Sequence, residues 1–168
     1  MECRRECVSV RLRSWICVEE MKYIAHRGLF NGPDKNLENK PAQILEALEL
    51  GFDCEIDLWI INSEFWLGHD GPQYPVDKKF LDKFGLWIHA KNLAALRWLT
   101  DTNLYYFWHE NDKFTLTSNN FIWTYPEQEL TTRSIMLMPE WHNPTLEGLK
   151  NAKCYAICSD YVLKISEM

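Results

Sequence analysis

From Lys22 onward, short apolar runs closed by polar residues alternate with segments of helical period. "KYIAHRG" (22–28) predicts a strand ending in a turn, and "NGPDKN" (31–36) reads as loop from its glycine, proline, asparagine and aspartate. "PAQILEALELG" (41–51) predicts a helix, with proline near its start and glycine after its end. The run from Phe52 to Ile61 reads as a strand, followed by the short apolar run "EFWLGHD" (64–70). "VDKKFLDKFG" (76–85) fits a short helix, "LWIHAK" (86–91) a strand and "NLAALRWLTD" (92–101) a helix. "LYYFWHE", "FTLTS", "FIWTYP" and "SIMLMPE" are further strand-like runs; "TLEGLKNA" is a helix turn and "CYAICSDYV" a last strand.

A β-α-β-α opening implies parallel strands joined by crossover helices. Polar residues close these strands repeatedly: His26-Arg27, Glu55 and Asp57, His89 and Lys91, His109-Glu110, Glu140, and Asp160. Chemistry collected at strand ends is the arrangement of a (β/α) barrel. The chain has 168 residues, against roughly 250 for that fold. In its second half the loops are too short for full helices. The expectation is an α/β fold: a reduced TIM barrel with several outer helices shortened or missing in the second half.

The barrel domain is expected over 21–168. Residues 1–20, "MECRRECVSVRLRSWICVEE", are arginine-rich, carry no long apolar stretch and are expected to form a poorly ordered extension without signal-peptide character. No apolar run approaches the roughly 18 residues of a membrane span. A cytoplasmic protein is expected. Its net charge of −6 argues against non-specific nucleic-acid binding, and it requires local positive charge wherever an anion is to bind. The six cysteines lack a structural-zinc spacing and are expected to be reduced, mostly structural thiols. Oligomeric state has no signature in the sequence.

Glu55 and Asp57 are the sharpest feature. Two residues apart in a strand, they share one face, between apolar neighbours typical of a buried central strand. Buried like charges become tolerable around a divalent cation, and oxygen donors favour Mg²⁺ or Ca²⁺; the alternative is a solvated strand face. His26 and His69 each end an apolar run and suit proton transfer, or else structural hydrogen bonding. Arg27 offers a fork to phosphate oxygens, or a surface ion pair. His109, Glu110 and Glu140 are candidate pocket residues, and Asp160 a candidate partner for a catalytic histidine or Lys91. Trp108, Trp123, Tyr125 and Trp141 are candidates for a wall against a substrate's alcohol portion, or for packing.

"HRG" (26–28), "LEN" (37–39), "EID" (55–57) and "GHD" (68–70) stand in the order and approximate spacing of the glycerophosphodiester phosphodiesterase family. More broadly, the chain resembles the PLC-like phosphodiesterase superfamily of TIM barrels, which includes the sphingomyelinase D toxins. The motifs span 26–70, with a weaker match through "LWIHAKN" to "ICSDYV". The resemblance implies metal-dependent attack on a small phosphodiester. His26 and His69 would be the acid/base pair, Glu55 and Asp57 metal ligands, and Arg27 and Asn39 phosphate or metal contacts. Glu38 and Asp70, within the same motifs, are further pocket candidates.

In such relatives the third strand carries an acid two residues before a lysine. Here "IHAK" keeps Lys91 as a phosphate-binding cation and puts His89 where the acid would be. Three outcomes stay open: His89 completes a site suited to Mn²⁺ or Zn²⁺, it contacts phosphate, or the site is degraded. The expected function is therefore a metal-dependent phosphodiester hydrolase. The rivals are a non-catalytic barrel binding phosphorylated ligands and a lyase-like relative forming a cyclic phosphate.

Overall fold

A computed structural model describes residues 21–168; the extension expected over 1–20 lies outside the described residues. Along the chain come β1 (Lys22–Ala25), α1 (Pro41–Glu49), β2 (Asp53–Ile61), β3 (Glu64–Leu67), β4 (Tyr74–Val76), α2 (Lys78–Leu81), β5 (Leu86–Ala90), α3 (Leu93–Thr100), β6 (Tyr105–Phe107), β7 (Phe114–Leu116), β8 (Ile122–Thr124), β9 (Ser134–Leu137), β10 (Ala156–Ser159) and α4 (Val162–Glu167). Single 3-10 turns follow β1 at His26–Gly28 and β9 at Pro139–Trp141.

The protein is mixed α/β, built on a curled sheet. The order β6-β5-β2-β1-β10-β9-β8 is parallel throughout, and β7 adds antiparallel to β8. Curling brings the two ends of this sheet together at Ser118, just past β7. Its N–H donates to the Tyr106 carbonyl at 2.8 Å, and its hydroxyl both donates to the Leu104 carbonyl and accepts from the Tyr106 N–H. Trp123 of β8 stacks on Phe107 of β6 across the interior, with ring centroids 4.3 Å apart.

Strand alternation gives the sheet two different faces. On β2, Cys54, Ile56 and Leu58 turn outward into a core shared with Ile44 and Ala47 of α1 and Ala95 and Leu99 of α3. Burying each of the large aliphatic side chains contributes about 1.5–3 kcal/mol. Glu55 and Asp57 turn the other way. Ile88 and Ala90 of β5 likewise face outward, while Trp87 joins the inner cluster of Ile24, Phe107, Trp123, Ile135 and Cys158. The apolar inner cluster fills one end of the curl and leaves the end where the strands finish to polar side chains.

Helices appear where the sequence caps them. Pro41 opens α1, Asn92 caps α3 by accepting from the Ala95 N–H at 2.9 Å, and Asp77 caps α2 through the Phe80 N–H. "TLEGLKNA" yields only a 3-10 turn at Leu149–Asn151. No helix separates β7, β8 and β9.

One apolar run finds its place in a hairpin, and one stretch departs from the sequence reading. The short apolar run "EFWL" forms β3, which folds back antiparallel on β2 through Asn62-Ser63, both at positive φ (50° and 66°), as a two-residue hairpin loop requires. The tail after Asp160, read as strand, turns into α4, which buries Val162 and Ile165. Cys54, Cys154 and Cys158 are free thiols. No helix among the described residues is long and apolar enough to cross a membrane.

Candidate active site

The polar end of the curl gathers side chains from β1, β2, β5 and β10. Parallel pairing of β2 with β5 sets Asp57 beside His89, and Glu55 beside Trp87. Glu55 and Asp57 are 3% and 1% exposed, and His89 is 8% exposed. After β1 the chain enters the "HRG" turn, where Arg27 takes a left-handed conformation (φ 53°) at a cost of about 1–2 kcal/mol. That conformation aims the Arg27 N–H at Glu55 Oε2, 3.0 Å away. Gly28 follows at φ 79°, and a Cβ there would stand 2.9 Å from Ile44 Cγ1 of α1. Only glycine fits, which accounts for the last letter of the motif.

Asp57 is saturated with partners. Asn39, itself at positive φ, donates its amide to Asp57 Oδ2 at 2.8 Å and accepts from the Asp57 N–H at 2.8 Å. Arg27 Nε stands 3.5 Å from the same Oδ2. On the other oxygen, His89 Nδ1 lies at 3.0 Å and Lys91 Nζ at 3.4 Å. Burial alone would push Asp57 up, but the hydrogen bond and charge of His89, with Lys91 and Arg27, hold it well below the usual carboxylate range. Glu55 goes the opposite way: burial first, then the charge of Asp57, raise it above its ordinary value. Two neighbouring acids therefore differ in character. Asp57 is held ionised by the protein, and Glu55 is an acid short of cations.

Both expected acid/base histidines are present in matching form. His26 Nδ1 meets Asp160 Oδ1 at 2.8 Å, and His69 Nδ1 meets Asp70 Oδ1 at 2.7 Å. A carboxylate only accepts, so each Nδ1 carries the proton and each Nε2 is the nitrogen left for other chemistry. Burial pulls His26 down, yet the Asp160 hydrogen bond and the charges of Glu55 and Asp160 outweigh it, and His26 holds its proton to higher pH than usual. His69 rides on the turn after β3. Trp59 Nε1 donates to the Gly68 carbonyl at 2.6 Å, and Gly68 (φ 149°) packs so close to the Gly71 carbonyl that a Cβ there has no room.

These groups face one cavity of about 310 Å³. Its polar side is made by His26, Arg27, Glu55, Asp57, His69 and His89. Phe107, Trp123, Tyr125, Leu137, Met138 and Trp141 make up its apolar wall, and His109 and Glu110 complete the lining. A neighbouring hollow of about 250 Å³ holds Lys91 and Trp108 and shares His69, His89, His109 and Glu110.

The sequence candidates thus fall into groups. Glu55, Asp57, His89, His26, His69, Arg27, Asn39 and Lys91 meet within one connected cluster. Glu38 accepts from Arg27 Nη1 at 2.8 Å, so the guanidinium is tied on two sides by acids. Asp160 stands behind His26. Glu140 lies outside the cavity: its Oε1 accepts from the Ser159 hydroxyl and the Asp160 N–H, bracing the end of β10. Trp123, Tyr125 and Trp141 stand in the wall, whereas Trp108 belongs to the neighbouring hollow. Sequence reasoning missed Phe107, Leu137 and Met138, ordinary apolar strand residues, and Trp59, whose role rests on a turn 9 residues away.

Glu55, Asp57 and His89 offer ligand atoms that all lie within 4.8 Å of one another, and this buried group can hold a metal ion. The donor set fits one: the positive charges near Glu55 do not offset its burial beside Asp57, and all three ligand atoms lie close enough to share an ion. No protein-family model, curated protein or solved structure matches the chain.

Proposed function

We propose that this protein is a metal-dependent phosphodiester hydrolase on a reduced (β/α) barrel, acting on a small glycerophosphodiester-like substrate. The observation that carries the reading is the inward-facing pair Glu55 and Asp57 in a cavity that also presents His26 and His69, each held by a carboxylate. The four motif segments resembling glycerophosphodiester phosphodiesterases supply these same residues.

Glu55, Asp57 and His89 would hold a divalent ion. Two buried acids suit Mg²⁺ or Ca²⁺, and the imidazole admits Mn²⁺ or Zn²⁺. Such an ion supplies charge to the phosphoryl oxygens and lowers the pKa of a bound hydroxyl. Lys91 and Arg27 add fixed positive charge beside it. His26, which keeps its proton to higher pH, suits the general acid that protonates the departing alcohol. His69, with Nε2 unprotonated in its neutral form, suits the base that removes a proton from water or a substrate hydroxyl. The aromatic wall suits an alcohol portion with an apolar surface.

The test is turnover of glycerophosphodiesters and a chromogenic bis-ester by metal-stripped protein resupplied with Mg²⁺, Ca²⁺, Mn²⁺ or Zn²⁺. Activity should return with at least one metal and be lost in His26→Ala and His69→Ala variants that still fold. No turnover with any metal removes the hydrolase reading. One observation favours a second reading: Asp57 is already neutralised by Arg27, Lys91 and His89, as in a barrel that binds a phosphorylated ligand without an ion. Binding of a phosphodiester that is unaffected by chelator would select it.

A further inference from the structure

Resting on the metal-dependent reading, we infer that the ion site is built for a first-row transition metal of the Mn²⁺–Zn²⁺ series, with His89 Nδ1 as its nitrogen ligand, and not for Mg²⁺ or Ca²⁺. His89 Nε2 lies 3.1 Å from the carbonyl oxygen of His109. A carbonyl only accepts, so Nε2 carries a proton, and Nδ1 is the nitrogen that can give up its proton to become a ligand.

Nδ1 faces the two acids. It stands 3.0 Å from Asp57 Oδ1 and 4.0 Å from Glu55 Oε1. In the metal-free protein the contact with Asp57 is a hydrogen bond from a protonated Nδ1, and a metal ion would take the place of that proton. Ligands about 2.1 Å from one ion stand about 3 Å apart at right angles and about 4.2 Å apart when opposed. Both separations around Nδ1 fall in that range. A metal-bound histidine characteristically gives its other N–H to a backbone carbonyl, which fixes tautomer and orientation. The His109 carbonyl does this here. Phe107, stacked 8° from parallel on the ring with centroids 4.9 Å apart, holds it further.

The consequence is selectivity. Imidazole binds Mn²⁺, Co²⁺ and Zn²⁺ far better than hard Mg²⁺ or Ca²⁺, with affinity rising along that series. Ca²⁺ takes six to eight oxygens, and Mg²⁺ prefers an all-oxygen octahedron. A pocket whose oxygen ligands are Glu55 and a heavily hydrogen-bonded Asp57 serves neither as well as a mixed N/O site serves a borderline ion.

Untagged, metal-stripped protein should be titrated with Co²⁺, Mn²⁺, Zn²⁺, Mg²⁺ and Ca²⁺ by calorimetry, with Co²⁺ also followed by its visible absorption. The expected result is one site binding Co²⁺ and Zn²⁺ at least tenfold tighter than Mg²⁺ or Ca²⁺. His89→Asp should lower Co²⁺ and Zn²⁺ affinity at least tenfold and narrow the gap to Ca²⁺. Long-range ¹H–¹⁵N spectra of the wild type, independent of any variant, should show His89 Nδ1 losing its proton and shifting when Zn²⁺ is added. Equal or tighter binding of Mg²⁺ or Ca²⁺ overturns the inference. So does an Nδ1 that keeps its proton in the presence of Zn²⁺, which would make His89 an imidazolium partner of Asp57. Turnover supported only by Mg²⁺ or Ca²⁺ would sink this inference and leave the hydrolase reading standing; tight Zn²⁺ binding without turnover would do the reverse.

Discussion

Glu55 and Asp57 lie two residues apart on one face of one strand, yet neutralising them should have opposite effects on the metal-free protein. Asp57→Asn removes a charge that four groups surround: Asn39 at 2.8 Å, His89 at 3.0 Å, Lys91 at 3.4 Å and Arg27 at 3.5 Å. Removing one partner of a buried ionic cluster strands the others, at about 3–5 kcal/mol. In a domain of this size each kcal/mol is about 2–4 °C in Tm, so the variant should melt about 10 °C lower. Glu55→Gln removes a charge that burial and Asp57 already disfavour, and the amide oxygen still accepts from the Arg27 N–H. Its Tm should hold or rise.

The pH dependence carries the same signs. Asp57 is depressed in the folded protein, so its contribution is complete above its unfolded value of about 3.9 and is lost as pH falls through the folded one. Glu55 is raised, so its ionised form costs stability at neutral pH and that cost disappears on acidification through its folded value. The assay is thermal melting by circular dichroism in chelator from pH 3 to 8, with wild type and both variants. The Asp57→Asn deficit should be full at pH 7 and shrink below pH 4. Equal destabilisation by both substitutions, or a larger loss for Glu55→Gln, would refute the electrostatic account of the pair. Saturating metal at 100-fold its Kd should add about 2.7 kcal/mol to the wild type, and far less to either variant.

Three further outcomes follow from the same geometry. Asp160→Asn removes the carboxylate whose hydrogen bond and charge help Glu55 raise His26, so the basic limb of the pH–rate profile should move to lower pH; an unmoved limb would separate Asp160 from the acid role. Gly28→Ala should lower stability by about 1–2 kcal/mol in denaturant melts, since alanine meets both the positive φ and the side chain of Ile44; a neutral result would show that the turn relaxes freely. Trp141→Ala, at a position 54% exposed, should leave the fold intact and raise KM for diesters with an apolar alcohol more than for glycerol esters, and equal effects on both would remove the wall from recognition.

Much of the site was legible because it depends on local periodicity. A strand has period two, so "EID" declares its two acids on one face and its apolar partners on the other, as found for Glu55, Asp57, Cys54, Ile56 and Leu58. Capped helices such as α3 were legible for the same reason. The hairpin was not, because Asn62-Ser63 replaces the asparagine-glycine pair that usually marks a tight turn. Helix α4 escaped because Tyr161 gives it no side-chain cap and Val162 and Ile165 supply a single turn of pattern. The parallel register that puts His89 beside Asp57 is long-range and has no local signal. Neither has the His109 carbonyl that fixes the ring. The brace from Glu140 to β10 is likewise visible only in three dimensions, since 19 residues separate it from Ser159.

The most direct test of the central claim is a crystal grown with Mn²⁺ and a non-hydrolysable phosphonate diester, with the ion located by its anomalous signal. One ion should touch Glu55, Asp57 and His89, with the phosphonate in the same cavity within reach of the Nε2 atoms of both His26 and His69. An ion found only at the surface, or a phosphonate bound away from those two imidazoles, would contradict it.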